Sequence, residues 1–195
     1  MQFSAPCRTP SVLMDSRARF EALYRAHCGA VRSFAHRRVP SAAADDVVAD
    51  VFVLAWRRLD QAPGDELPWL LGIARGVLAN RRRSDSRQEA LRDRIAANTA
   101  RGAEPEPEDR SDGDSALMRA LRSLSRLDQE VLLLVAWDGL DRAQAASVLG
   151  ITPGLFSVRL HRARRRLERV LTSQQREAEQ RAAKASATEV SFDGR

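Results

Sequence analysis

Apolar residues recur at helical spacing along most of the chain, and no stretch alternates apolar and polar side chains as a half-buried strand would, so the expected fold class is all-α. Phe20, Leu23, Tyr24, Val31, Phe34 and Ala35 share one face of a helix predicted from about Asp15 to Arg38, which Pro40 ends. Ser41 then offers an N-cap, and Asp45 and Asp46 stand near the start of a second helix, where the macrodipole favours negative charge. Val48, Val51, Phe52, Ala55 and Leu59 make its apolar stripe. The stretch from Gln61 to Glu66, with Pro63 and Gly64, reads as a loop. Pro68 suits the first turn of a third helix, whose Trp69, Leu70, Ile73, Ala74, Val77 and Leu78 form a broad apolar surface ahead of Arg81, Arg82 and Arg83.

From Ser84 to Asp114 the apolar pattern thins, with Leu91 and Ile95 supporting no more than a short helix. The segment from Ala103 to Asp114 sets Glu104, Glu106, Glu108, Asp109, Asp112 and Asp114 against Arg110 alone, too little apolar area to offset the entropy of ordering. A second module starts near Ser115, with Leu117, Leu121 and Leu124 on one face. Ser125 and Asp128 have capping-box spacing before the apolar run Val131 to Trp137, and Gly139 can end that helix. Asp141 and Gln144 repeat the cap for a short helix ending at Gly150, and Thr152 with Pro153 starts a last one. Helix, a three-residue turn of Gly150, Ile151 and Thr152, then helix is helix-turn-helix geometry. The expected architecture is two small helical domains, 15–83 and 115–171, joined by a flexible acidic linker, 84–114, with a disordered N-terminal extension, 1–14, and a tail, 172–195, that continues as polar helix or frays.

No apolar run approaches the roughly 20 residues of a membrane span, and Met1 to Leu13 lack the pattern of a signal peptide, so no membrane insertion and a cytoplasmic location are expected. Met14 could equally be the translation start in place of Met1. Cys7 and Cys28, the only cysteines, suggest neither a disulfide framework nor a zinc cluster. Lys184 is the only lysine among 32 basic residues, a bias that a GC-rich genome explains as well as a nucleic-acid partner does. Position therefore says more than amount. The last helix carries Arg159, Arg162, Arg164, Arg165, Arg166 and Arg169 against Glu168, while Phe156, Leu160, Ala163, Leu167 and Leu171 keep a core-facing stripe. Such a helix can anchor by its apolar side and present arginines to DNA; a solvated basic face on a packing helix is the competing reading. Ser157, Val158, His161 and Arg162 lie in its first half, where base edges would be met, and Arg164 to Arg166 lie farther along, nearer phosphate. In the first module Trp69, Arg75, Asn80, Arg81, Arg82 and Arg83 combine an aromatic with hydrogen-bonding and cationic groups, as single-stranded DNA requires. On pattern alone Trp69 and Trp56 read first as core residues. His27, His36 and His161 form no catalytic or metal spacing, and neither a phosphate-binding glycine loop nor a nucleophile elbow is present, so no catalytic residue, metal or cofactor is expected.

Two runs resemble one known family. FEALYRAH…AAADDVVADVFVLAWRRLD…LPWLLGIARGVLANRRR is similar to the second conserved region of extracytoplasmic-function (ECF) sigma factors of bacterial RNA polymerase. LSRLDQEVLLLVAWDGLDRAQAASVLGITPGLFSVRLHRARRRL is similar to their fourth region, in the same order and across the same kind of linker. The resemblance implies a promoter-recognition subunit, not an enzyme, with core RNA polymerase and promoter DNA as partners and an anti-sigma factor as a candidate one, since some members lack it. It implies that Asp46, Asp50, Arg57 and Arg58 serve docking on the clamp helices of the largest subunit. Trp69, Arg75, Asn80 and Arg81 to Arg83 would serve minus-ten recognition and opening. The second module, touching the flap of the second subunit, would read the minus-thirty-five element through Ser157, Val158, Arg159, His161, Arg162 and Arg165. Ala49 departs from the usual residue on the docking helix, which bears on the clamp contact, and Gly76, Ser157 and Val158 depart at DNA-facing positions, so base preferences do not transfer from relatives. The alternative is a stand-alone helix-turn-helix regulator that never meets polymerase.

Overall fold

A computed structural model describes residues 10–98 and 115–190, and all regular structure among them is helical. The α-helices are α1 (Pro10–His36), α2 (Ser41–Arg57), α3 (Glu66–Asn98), α4 (Ala116–Arg122), α5 (Arg126–Ala136), α6 (Arg142–Leu149) and α7 (Pro153–Val190), with a 3-10 turn at Leu59–Gln61. Packing divides the chain into two units, one built on α1 to α3 and the other on α4, α5 and α7.

In the first unit Leu23, Val31, Phe34 and Ala35 of α1 meet Ala44, Val47, Val48, Val51, Phe52 and Ala55 of α2 and Leu70, Leu71, Ala74, Val77 and Leu78 of α3, all buried. Most of each predicted stripe is thus the core, with Ala44, Val47 and Leu71 added to it, whereas Phe20, Trp69 and Ile73 are half-buried and Tyr24 is exposed. At the edge of α1 and α2 the rings of Phe20, Tyr24, Phe52 and Trp56 stack edge-on, 4.6 Å between Tyr24 and Phe52 and 5.1 Å between Phe20 and Trp56. Tyr24 and Trp56 stay partly in solvent. A hydrogen bond with Cys28 raises the Tyr24 phenol above its usual value. Arg32 of α1 reaches Asp45 of α2 at 3.4 Å, so Asp45 is held across the helix pair as well as by the helix field. Arg38 closes α1 by bonding the carbonyl of Phe34 at 3.1 Å and lying 3.5 Å over its ring.

Local chemistry sets most boundaries from α4 to α7. Ser115 and Ser125 cap α4 and α5 by accepting the N–H groups of Met118 and Asp128. Asp141 accepts from Ala143 and Gln144 while Gln144 accepts from Asp141 N–H, a reciprocal capping box. Gly139 and Gly150 take positive φ, 68° and 66°, the conformation in which glycine follows a helix end without a Cβ penalty. Val131, Leu132, Leu134, Phe156, Leu160 and Ala163 are buried.

Several expectations need correction. α1 begins at Pro10, so 10–14 are helical and not part of a disordered extension; residues 1–9 lie outside the described ones. Pro40 occupies the cap of α2 and Ser41 is its first helical residue, without a side-chain cap bond. α3 runs on to Asn98 through fifteen residues assigned to the linker, because no glycine or proline interrupts 77–98 and good helix formers fill it. The rest of the expected linker, 99–114, lies outside the described residues. The tail, by contrast, takes the helical one of its two expected courses, α7 running on to Val190. Leu117 is exposed, in the first turn of α4 and ahead of the packing face that Ala120, Leu121 and Leu124 make.

Candidate nucleic-acid interface

α7 enters after a built turn. Ile151 N–H bonds back to Ala146 O and Gly150 N–H to Ser147 O, both at 3.0 Å, and Thr152 Oγ1 accepts the N–H of Leu155 at 3.3 Å. With Phe156, Leu160 and Ala163 buried, the advance of about 100° per residue places Leu155, Val158, Arg162, Arg165 and Arg169 on the opposite, outward stripe. All five are exposed, and His161 lies beside them, also exposed. Arg159 is half-buried on the flank.

Two expected contacts fall away from this stripe. Ser157 is half-buried, and its hydroxyl donates to Pro153 O at 2.9 Å, so it is satisfied within its own helix. Arg166, expected to meet phosphate with Arg164 and Arg165, is already paired within the unit although its side chain stays half in solvent: its Nη1 lies 2.6 Å from Asp128 Oδ2. Asp128 is only 6% exposed and also accepts the Ser125 hydroxyl at 2.8 Å. The Ser125–Asp128 spacing therefore serves a buried carboxylate that ties the start of α5 to α7. A buried carboxylate with both an ion and a hydroxyl partner is an anchor whose loss leaves charge uncompensated.

The first unit splits its candidate residues by helix phase. Trp69, Asn80 and Arg83 share one side of α3, with Trp69 and Arg83 about 21 Å apart at 1.5 Å per residue. Trp69 is half-buried, and Arg83 Nη2 donates to Asn80 Oδ1 at 3.0 Å. Gly72 and Gly76 lie on that same side, and a Cβ at either would meet nothing within 4 Å, so packing does not require these glycines. Arg75 and Arg82, seven residues apart, face another way. Arg81 continues the core-facing stripe beyond Leu78 and meets α2 there, 3.6 Å from Asp46 Oδ2 and 3.1 Å from Asp50 Oδ2.

On α2, Asp46, Asp50, Val53 and Arg57 recur at helical spacing along one exposed stripe. Asp50, Val53 and Arg57 line a groove of about 610 Å³ whose far wall is Val77, Asn80, Arg81 and Arg87 of α3. Arg58 stands apart as the C-cap of α2, its N–H bonded to Ala55 O and Trp56 O. Residues assigned on sequence to docking and to DNA thus share one groove, joined by Arg81. Sequence reasoning missed Leu155 and Val53, each of which continued spacing from a chosen neighbour would have found, and the burial of Asp128, which no local pattern marks. His27 Nε2 lies 3.4 Å from Glu66 Oε2, a link from α1 to the start of α3. Among the described residues no cluster could hold a metal ion, and no helix is long and apolar enough to cross a membrane.

Comparison with known proteins follows the same division. Residues 23–88 match the family model described as Sigma-70 region 2, and residues 114–167 match Sigma-70, region 4. RNA polymerase sigma factor NccH of Alcaligenes xylosoxydans xylosoxydans is 32% identical over 161 residues, covering 77% of this chain and 83% of NccH. ECF RNA polymerase sigma factor SigL of Mycobacterium tuberculosis is 31% identical over 163 residues, covering 79% of this chain and 89% of SigL. Among solved structures, the sigma factor RpoE of Bartonella quintana, in complex with the anti-sigma factor NepR, superposes with a TM-score of 0.60 at 25% identity, over 78% of this chain and 96% of RpoE.

Proposed function

Because this chain belongs to the sigma-70 family of RNA polymerase sigma factors, in its ECF group, we propose that its two helical units divide promoter recognition between docking with opening and upstream reading. As a sigma factor the protein acts in promoter-specific initiation of DNA-templated transcription, with core RNA polymerase and promoter DNA as its partners. Sigma factors are DNA-binding initiation factors; that this chain carries no chemistry of its own, and works in the cytoplasm, belongs to the proposal.

The observation that carries the reading is the outward stripe of α7. The second helix of a capped helix-turn-helix, burying Phe156, Leu160 and Ala163 and turning Arg162, Arg165 and Arg169 outward, can enter a major groove while anchored from behind. Arg162, nearer the N-terminus, is assigned to a base edge, and Arg165 and Arg169 to phosphate. In the first unit the stripe Asp46, Asp50 and Arg57 is assigned to the clamp of the largest subunit. The side of α3 that carries Trp69, Asn80 and Arg83 is assigned to the opened minus-ten strand, with Arg75 and Arg82 of another side adding charge to the same contact, so that stacking and charge offset the few kcal/mol that extruding a base costs. The acidic segment before residue 115 serves as the connector between the units, and residues 172–195 as a tail. An anti-sigma factor is a proposed further partner, supported by the NepR complex of the Bartonella relative.

The test is transcription from a promoter library by core polymerase with and without the purified chain. Promoter-specific transcripts only in its presence, with weak duplex binding by the free chain, are expected. Tight sequence-specific binding by the free chain and no effect on polymerase would instead establish a stand-alone regulator.

A further inference from the structure

Leu155 and Val158 are large apolar side chains that α7 holds in solvent, 44% and 47% exposed. Standing three residues apart on the helix, they are surface neighbours, with β-carbons about 5–6 Å from each other. Neither joins the core that Phe156, Leu160 and Ala163 make on the opposite side. The turn that carries them is fixed by the Thr152 cap on Leu155 N–H. It is also slim: a Cβ at Gly154 would meet nothing within 4 Å. Single exposed apolar residues on a surface need no explanation. An adjacent pair at the leading end of a helix whose stripe continues as Arg162, Arg165 and Arg169 is a different observation. The cations suit a polyanion, and an apolar pair set into a cationic stripe suits a polyanion that carries apolar groups at a defined depth. Duplex DNA has one such group in its major groove, the C5-methyl of thymine.

We propose that Leu155 and Val158 together form an apolar reader for thymine C5-methyl groups in the upstream promoter element. The inference rests on the assignment of α7 to the major groove and deepens it by naming what the groove must offer. Their spacing matches one to two base-pair steps of about 3.4 Å, so the pair covers two nearby thymines, on one strand or on both. Arg162, one turn beyond Val158 on the same stripe, then reads an adjoining base pair. Ser157, bonded to Pro153 O, takes no part.

The experiment uses polymerase assembled with the full chain. A library first selects the preferred upstream element, and each thymidine in it is then replaced by deoxyuridine, which keeps pairing and removes only the methyl. With the wild-type chain, one or two such replacements should weaken promoter binding about fourfold each, the worth of one buried methyl. In Leu155→Ala and Val158→Ala chains the same replacements should become neutral, each variant losing sensitivity at a different thymine. Because both side chains are exposed, these variants keep the helix and its core, which circular dichroism checks. Tolerance of deoxyuridine everywhere by the wild-type chain, a selected element without thymine, or sensitivity that persists in both variants overturns the proposal. An Arg165→Ala chain run in parallel separates the two levels. If it weakens all promoters while deoxyuridine is tolerated, α7 lies on DNA but reads no methyl; if it changes nothing, the assignment of α7 to DNA fails as well.

Discussion

α3 and α7 each carry a run of arginines beyond an apolar packing surface, and in each one arginine of the run does something different from its neighbours. In α3 it is Arg81, drawn down onto Asp46 and Asp50 of α2. In α7 it is Arg166, drawn onto the buried Asp128. The difference lies in the acceptor. Asp46 and Asp50 are exposed carboxylates on a surface also assigned to polymerase, so the Arg81 contact is screened and exchangeable. Asp128 is enclosed at the start of α5, so the Arg166 contact, made by a half-exposed guanidinium to a buried carboxylate, belongs to the unit's architecture. Helix phase decides which arginine meets an acid, and burial of the acid decides whether the contact is architecture or surface chemistry.

The largest expected effect lies at the buried carboxylate. Asp128→Ala removes the buried acceptor of both the Arg166 guanidinium and the Ser125 hydroxyl, and should destabilise the second unit by about 1–3 kcal/mol, a large share of what a domain of this size has. Amide hydrogen exchange in α5 and α7 of the full chain, across a denaturant series, measures it. Arg166→Ala should also destabilise, and the double variant should fall short of the sum; strict additivity would show that the pair does not act as one unit.

Next come the outward arginines of α7. Arg162→Ala should cost about 1–3 kcal/mol on the preferred promoter and relax discrimination at one base pair. Arg165→Ala should weaken all promoters alike and reduce the slope of binding against salt by about one unit. Both should leave unfolding midpoints unchanged, in contrast to Arg166→Ala. Identical, uniform losses from Arg162→Ala and Arg165→Ala would erase the division into reading and anchoring positions.

A smaller effect is expected at Arg81. An exposed ion pair contributes about 1 kcal/mol or less, so Arg81→Ala should shift affinity for core polymerase no more than about fivefold. Arg83→Ala, on another side of α3, should leave core affinity as it is and lower transcription more on duplex promoters than on templates opened in advance. Titration of labelled core polymerase with each variant checks the first, and paired templates the second. Equal core affinities for the wild-type and Arg81→Ala chains would separate the docking stripe from α3.

The smallest is Ser157→Ala. Its hydroxyl is spent on Pro153 O, so base preference in a promoter library should not change and stability should move by less than about 0.5 kcal/mol. A changed preference at one base pair would return Ser157 to the reading surface.

Sequence by itself determined the helices, their order and the helix-turn-helix, because these are local matters. Apolar residues at helical spacing marked Leu23 to Ala35, Val48 to Leu59 and Phe156 to Ala163 as packing faces, and capping side chains with Gly139 and Gly150 marked the breaks. It also pointed to the outward arginines of α7, since one apolar stripe implies the opposite face. Helix ends without a breaker were less legible: nothing in 84–98 stops α3, and weak apolar content was read as an end although helix propensity alone carries the chain onward. Only tertiary structure decided which polar residues of the candidate sites face each other. Arg81 and Asp50 are 31 positions apart, and Arg166 and Asp128 are 38. No local pattern encodes such a meeting, because it depends on how two helices lie against each other after their apolar faces have closed. The groove shared by α2 and α3, the pairing of Arg166 with Asp128 and the exposure of Leu155 beside Val158 all follow from that closure.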